Sequence, residues 1–140
     1  MRNEKYAFAV YKGIDPKTLK RQIEVRPFDD ELEYLQGLVG GYIEHYVIDD
    51  KLDHKFIDMW IDEEGKLKPD LEPTFALLHD GQLYDVIFGN CVFSKYDLDG
   101  NTLGLTPDDV SHVIAFLNDC DVVGLVKKDG STVPCLSVNK

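Results

Sequence analysis

Across Leu35-Gln36-Gly37-Leu38-Val39-Gly40-Gly41-Tyr42-Ile43-Glu44 the hydrophobic period changes from that of a helix to that of a strand, with only two glycines between. Upstream, Leu32, Leu35, Leu38 and Val39 recur at helical spacing and form one apolar stripe. Asp29-Asp30-Glu31 opens that helix with acids at its positive end, and Asp30 and Glu33 stand at capping-box spacing. Gly40 or Gly41 supplies the positive φ that ends a helix at low cost. From Tyr42 to Ile48 apolar residues occupy both parities of a strand. A helix that turns straight into a strand confines the chain to a mixed architecture. The expected fold class is α+β: one domain over 1–140, mainly antiparallel sheet, with two principal helices (about 30–39 and 107–118) and a C-terminal hairpin (about 122–138).

The strand leaving the glycines has a partner downstream. Ile57, Met59 and Ile61 alternate with Phe56, Asp58, Trp60 and Asp62, and the polar connection Asp49–His54 separates the two runs, so they read as an antiparallel hairpin. One face, Ile43, His45 and Val47 with Ile57, Met59 and Ile61, is assigned to the core. The other interleaves Tyr42, Tyr46, Phe56 and Trp60 with Glu44, Asp58 and Asp62. Aromatic bodies with polar tips suit interfaces, so Tyr42, Glu44, Tyr46 and Trp60 are the candidate binding residues. The competing reading is that the second helix covers this face.

Tyr6 to Tyr11 and Leu19 to Val25 alternate around the turn set Lys12–Pro16 and are expected to pair as a first hairpin, ended by Pro27. Thr74 to His79 reads as a short helical turn. Tyr84 to Tyr96, apolar on both parities, reads as one long central strand with a bulge at Gly89. Thr106-Pro107-Asp108-Asp109 is a helix start, followed by the stripe Val110, Val113, Ile114 and Leu117. Asp129-Gly130 turns the last hairpin, and Pro134 is expected at a sheet edge. Asp97-Leu98-Asp99-Gly100-Asn101 fails as a calcium loop, because the sixth position is Thr102 and the twelfth is Asp108; a hairpin turn is the better reading.

Charge narrows the functional classes. The chain carries a net charge of -11. Residues 1–26 hold seven Lys/Arg against three Asp/Glu, whereas 29–72 hold fourteen Asp/Glu against four Lys. Most of the surface would repel a phosphate backbone, so no direct nucleic-acid binding is expected. Lys17, Lys20, Arg21 and Arg26 could serve a small anion, and Arg21 and Arg26 are the residues to watch; a solvated strand face is the alternative. Cys91, Cys120 and Cys135 are scattered and odd in number, which points away from a disulfide framework and toward the cytoplasm. The N-terminal apolar run is too short for a signal-peptide core or a membrane span. His45, His54, His79 and His112 show no metal-ligand spacing, no glycine-rich loop precedes a helix, and no nucleophile elbow occurs. No metal, cofactor or catalytic residue is therefore expected. An enzyme is disfavoured.

The stretch Leu35–Glu44 resembles the signature LQxLVGGYIE of a family known only as a domain of unknown function, whose members are small proteins of bacteria, phages, plasmids and other mobile elements. Asp62-Glu63-Glu64-Gly65-Lys66-Leu67 resembles the family's DEEGKLK turn, Ile87–Val92 its IVGNVVV strand, and Asp97–Val110 the segment that follows. The similarity covers about 20–118. This chain has Pro69-Asp70-Leu71-Glu72-Pro73 where the family tends to have a Pro-Asn turn, so no role of that Asn carries over. The resemblance implies a small cytoplasmic accessory protein. The expected function is an acidic binding module, a non-enzymatic inhibitor of a host protein. The alternatives are a sequestering protein for a nucleotide-like ligand and an acidic DNA mimic. Its partner is then a protein or a small molecule, with homo-oligomerisation open and no membrane involved.

Overall fold

The switch at the glycines is realised as drawn from sequence: helix α1 (Leu32–Val39) ends on Gly40 at φ 100°, and strand β3 (Ile43–Tyr46) begins three residues later. The structure, a computed structural model, describes residues 3–139, so Met1, Arg2 and Lys140 lie outside the described residues. Before α1 come β1 (Asn3–Ile14) and β2 (Arg21–Phe28). After β3 follow α2 (Asp50–Asp53), β4 (Ile57–Asp62), a 3-10 turn (Gly65–Leu67), β5 (Pro73–His79), β6 (Gln82–Phe88), β7 (Cys91–Tyr96) and β8 (Thr102–Leu103). Helix α3 (Pro107–Asp119), β9 (Asp121–Val126) and β10 (Thr132–Asn139) close the chain.

The strands form two sheets. The first runs β2-β1-β7-β4-β3, with β8 beside β7; the second runs β6-β5-β10-β9. Pairing is antiparallel except between β10 and β5. The first sheet is the middle layer, because both of its faces are apolar. Ala9, Tyr11, Met59 and Phe93 meet Phe75, Leu77 and Leu136 of the second sheet and Val113 and Leu117 of α3. Phe8, Val10 and Val92 on the opposite face meet Leu35 and Val39 of α1. The fold is α+β, mostly antiparallel sheet.

Several expectations are corrected. Thr74–His79 is strand, not helical turn, because β5 is buried on both sides and a continuous apolar run carries no period. Tyr84–Tyr96 is two strands in different sheets: Gly89, at φ 86°, turns the chain out of the second sheet into the first. Pro134 lies on β10, inside the second sheet. Its missing N–H costs nothing there, since pairing to β5 starts only at Leu136. The capping box at Asp30 and Glu33 does not form, since Glu31 is the N-cap and makes no side-chain cap bond. At α3 the box is complete: Thr106 Oγ1 accepts from Asp109 N at 3.1 Å, and Asp109 Oδ2 accepts from Thr106 N at 2.9 Å.

The largest correction concerns the β3–β4 faces. Ile43 pairs with Asp62, Glu44 with Ile61, His45 with Trp60 and Tyr46 with Met59. Opposed residues in an antiparallel pair share a face. Glu44 and Tyr46 therefore lie on the side of Met59 and Ile61, while Trp60 lies with Ile43 and His45. The surface drawn from Tyr42, Glu44, Tyr46 and Trp60 is split by the sheet.

Candidate functional site

The two sheets present edge strands side by side, β3 from the first and β6 from the second. A groove of about 160 Å³ between them is lined by Glu44, Tyr46, Asp62, Lys66, Asp85 and Phe88. Burial, followed by the neighbouring Tyr84 of β6, raises the Tyr46 phenol above its ordinary range. Lys66 reaches from the 3-10 turn to an ion pair with Asp85. A second depression, about 280 Å³, is lined by Gln36, Gly41, Tyr42, Asp62, Glu64 and Lys68. Asp62, whose side chain is buried, lines both. Tyr42 is 67% exposed, Tyr84 53% and Leu67, on the turn between the edges, 80%.

Beneath this surface three segments lock together. Asp62, its side chain buried, accepts from Lys68 Nζ at 2.5 Å, and the same ammonium donates to Gly40 O at 3.2 Å. A Cβ on Gly41 would stand 2.7 Å from Lys68 Nζ and about 3 Å from both Asp62 oxygens. The second glycine is thus bare because the ion pair occupies its flank. From β6–β7 the Asn90 amide donates to Leu38 O at 3.0 Å, capping the free carbonyl end of α1. Gly65 packs on Phe88 so closely that a Cβ would lie 2.9 Å from its carbonyl oxygen. The signature, the DEEGKLK turn and the Gly-Asn corner are one structural joint. A family profile matches residues 13–118, a span that includes all three segments. The chain belongs to the family described as Domain of unknown function (DUF3846). No curated protein matches it, and no solved structure does.

In this DUF3846 chain the remaining sequence-derived residues go elsewhere. Trp60 packs edge-on against His45, with ring centroids 5.3 Å apart, and its Nε1 donates to Ser94 Oγ at 3.0 Å. Ser94 donates to Asp58 Oδ1 at 2.8 Å, and His45 Nε2 lies 2.7 Å from Asp58 Oδ2. Burial raises the Asp58 carboxyl, against the pull of Ser94 and His45. In this chain of contacts the Asp58 carboxylate stands between serine and histidine, so His45 does not face the hydroxyl, and Ser94 is itself fully buried. Arg21 caps α3, donating to Leu117 O at 2.9 Å and Cys120 O at 2.7 Å. Arg26 pairs with Glu24 at 2.6 Å, and Glu24 also holds Lys12, which lowers its carboxyl to about 2. Arg21 is opposite Ile14 and Arg26 opposite Phe8, on different faces of the sheet, so the two arginines do not converge.

The thiols are poor nucleophiles. Burial pushes Cys91 and Cys120 up to about 12 and Cys135 to about 11. Among the described residues no three His, Cys, Asp or Glu side chains gather as a metal site. Four of the acids of 29–72 have local partners or are buried: Asp58 and Asp62 are buried, Asp49 caps α2 and Asp53 accepts from Tyr96. No helix is long and apolar enough to cross a membrane. Sequence reasoning missed Lys68 beside Tyr42, and Lys66 and Tyr84 beside Tyr46. The available signal was Gly89-Asn90, a turn dipeptide that places Tyr84 on a different sheet from Cys91.

Proposed function

We propose that this chain is a non-enzymatic protein-binding module whose partner seats on the surface running from Tyr42 over Glu44 and Tyr46 to Tyr84. One observation carries the reading: two sheet edges meet there beneath exposed tyrosines, while Glu44, Glu63 and Glu64 form no ion pair among the described residues. Tyrosine supplies a large contact at low entropic cost, and unpaired acids favour a basic partner surface. The depressions are shallow and smaller than an ordinary ligand pocket, which suits side chains of a partner better than a whole small molecule. An inhibitory role toward a host protein, in the cytoplasm of a cell carrying a phage or plasmid, is supported by the resemblance to small proteins of mobile elements. The test is site-specific photo-crosslinking in the producing cell. A photoreactive residue at Tyr42 or Tyr84 is expected to trap one discrete species that the same residue at Leu98, 89% exposed on another loop, does not trap. Equal labelling at all three positions would remove the proposal.

A second reading, capture of a small ligand, is favoured by a cleft of about 640 Å³ between α2, α3 and β10, lined by Lys51, Lys55, His112, Phe116, Asp119 and Asn139. Its volume is in the ligand range, but Lys and Asp alternate on its rim and select no charge. A nucleotide panel in a thermal melt decides it: ligand at about 100 times its dissociation constant adds roughly 2.7 kcal/mol, and no shift across the panel counts against sequestration.

A further inference from the structure

Besides the two-residue β8, four strands stand at sheet edges among the described residues, and three carry protection against pairing with another chain. β2 contains Pro27, Arg21, Glu24 and Arg26. β3 is only four residues long. The far half of β6 lies under the 3-10 turn, where Lys66 holds Asp85 and Gly65 packs on Phe88. β9, Asp121-Val122-Val123-Gly124-Leu125-Val126, has none of these devices. It pairs with β10 along its whole length, from Asp121 opposite Ser137 to Val126 opposite Thr132, with no register shift and, among the described residues, no strand on its other side. Val126 is 69% exposed and Gly124 is exposed. A six-residue, β-branched, flat edge without Lys or Pro is a template for another strand.

We infer that β9 pairs antiparallel with β9 of a second copy of this chain, joining the two four-stranded sheets into one across a two-fold axis. Charge selects that occupant. The strand starts on Asp121 and runs into Lys127-Lys128, with only uncharged residues between. Antiparallel pairing centred on Gly124 sets Asp121 opposite Lys127 of the second copy and Val122 opposite Val126, and the two-fold repeats both contacts. Lys127 already bonds Glu72 at 3.1 Å, so its ammonium is held at this end of the strand. A parallel partner copy would put Asp121 against Asp121. β9 and β10 lie beyond residues 13–118, so this edge belongs to a part of the chain outside the family match. It is also a different edge from the β3–β6 surface, and either can fail without the other.

The test is light scattering and sedimentation at physiological salt, where screening within about 8 Å mutes the repulsion of the net charge of -11. The full chain is expected to move from 15.9 kDa toward twice that mass over a concentration series reaching about 1 mM. Asp121→Lys and Lys127→Asp are each expected to weaken the dimer about tenfold, and the double exchange to restore it. Val126→Lys, at an exposed site, is expected to give monomer with unchanged cooperative unfolding. Monomer throughout the series overturns the inference. So does a dimer indifferent to Asp121→Lys and Val126→Lys, which would form through another surface.

Discussion

Gly41 is bare because of what it faces, whereas Gly40 is a glycine because of its positive φ. Gly41→Ala drives a methyl into the Lys68–Asp62 pair and is expected to cost about 1–3 kcal/mol in urea unfolding. Gly37, in the middle of α1 with nothing within 4 Å of an added Cβ, is the matched control. Gly37→Ala is expected to stabilise by about 0.5–1 kcal/mol. Equal effects at the two positions would contradict the joint. Asp58 allows a test by pH. Its carboxyl is raised by burial above the unfolded value of 3.8, so the folded state holds the proton more tightly. That contribution to stability is full below 3.8 and is lost as pH rises through the folded value. Asp58→Asn is therefore expected to gain stability relative to the parent as pH climbs through that window, read as the gap between urea midpoints. A gap independent of pH would mean Asp58 is not raised.

At the scale of elements, both principal helices end on side chains borrowed from other segments of the chain. Asn90 and Lys68 cap α1, and Arg21 caps α3. Asn90→Ala is expected to cost about 0.5–1.5 kcal/mol, with the α1 amides losing hydrogen-exchange protection before those of β7. Arg21→Met, which removes charged donors from part-buried carbonyls, is expected to cost about 1.5–3 kcal/mol. These caps explain what sequence could and could not show. The start of α3 was legible because Thr106, Pro107 and Asp109 are adjacent in the chain. The caps of Asn90 and Arg21 were not, because each partner lies more than fifty residues away. β5 and the β6–β7 break were obscured by the same burial, which erases the period that separates strand from helix and one strand from two.

At the scale of the molecule, the class of fold was readable and the faces were not. A sheet covered by α1 on one side and by α3 and a second sheet on the other is apolar on both parities, so alternation cannot say which residues of β3 look the same way as those of β4. The register sends Trp60 to the α1 side and leaves Glu44 and Tyr46 on the other, where Tyr46 neighbours Tyr84 of the second sheet. Of the grouping drawn from sequence, the shared parity of Glu44 and Tyr46 was legible, whereas the separation of Trp60 from them was not. The binding module stands or falls on affinity for the trapped partner, measured by calorimetry for the parent, Tyr42→Ala/Tyr84→Ala and Leu98→Ala. The expected result is a loss of roughly 1,000-fold in the double variant, as two interface anchors of about 2 kcal/mol each would give, with Leu98→Ala unchanged. Parent-like affinity in a double variant that still unfolds cooperatively would contradict it.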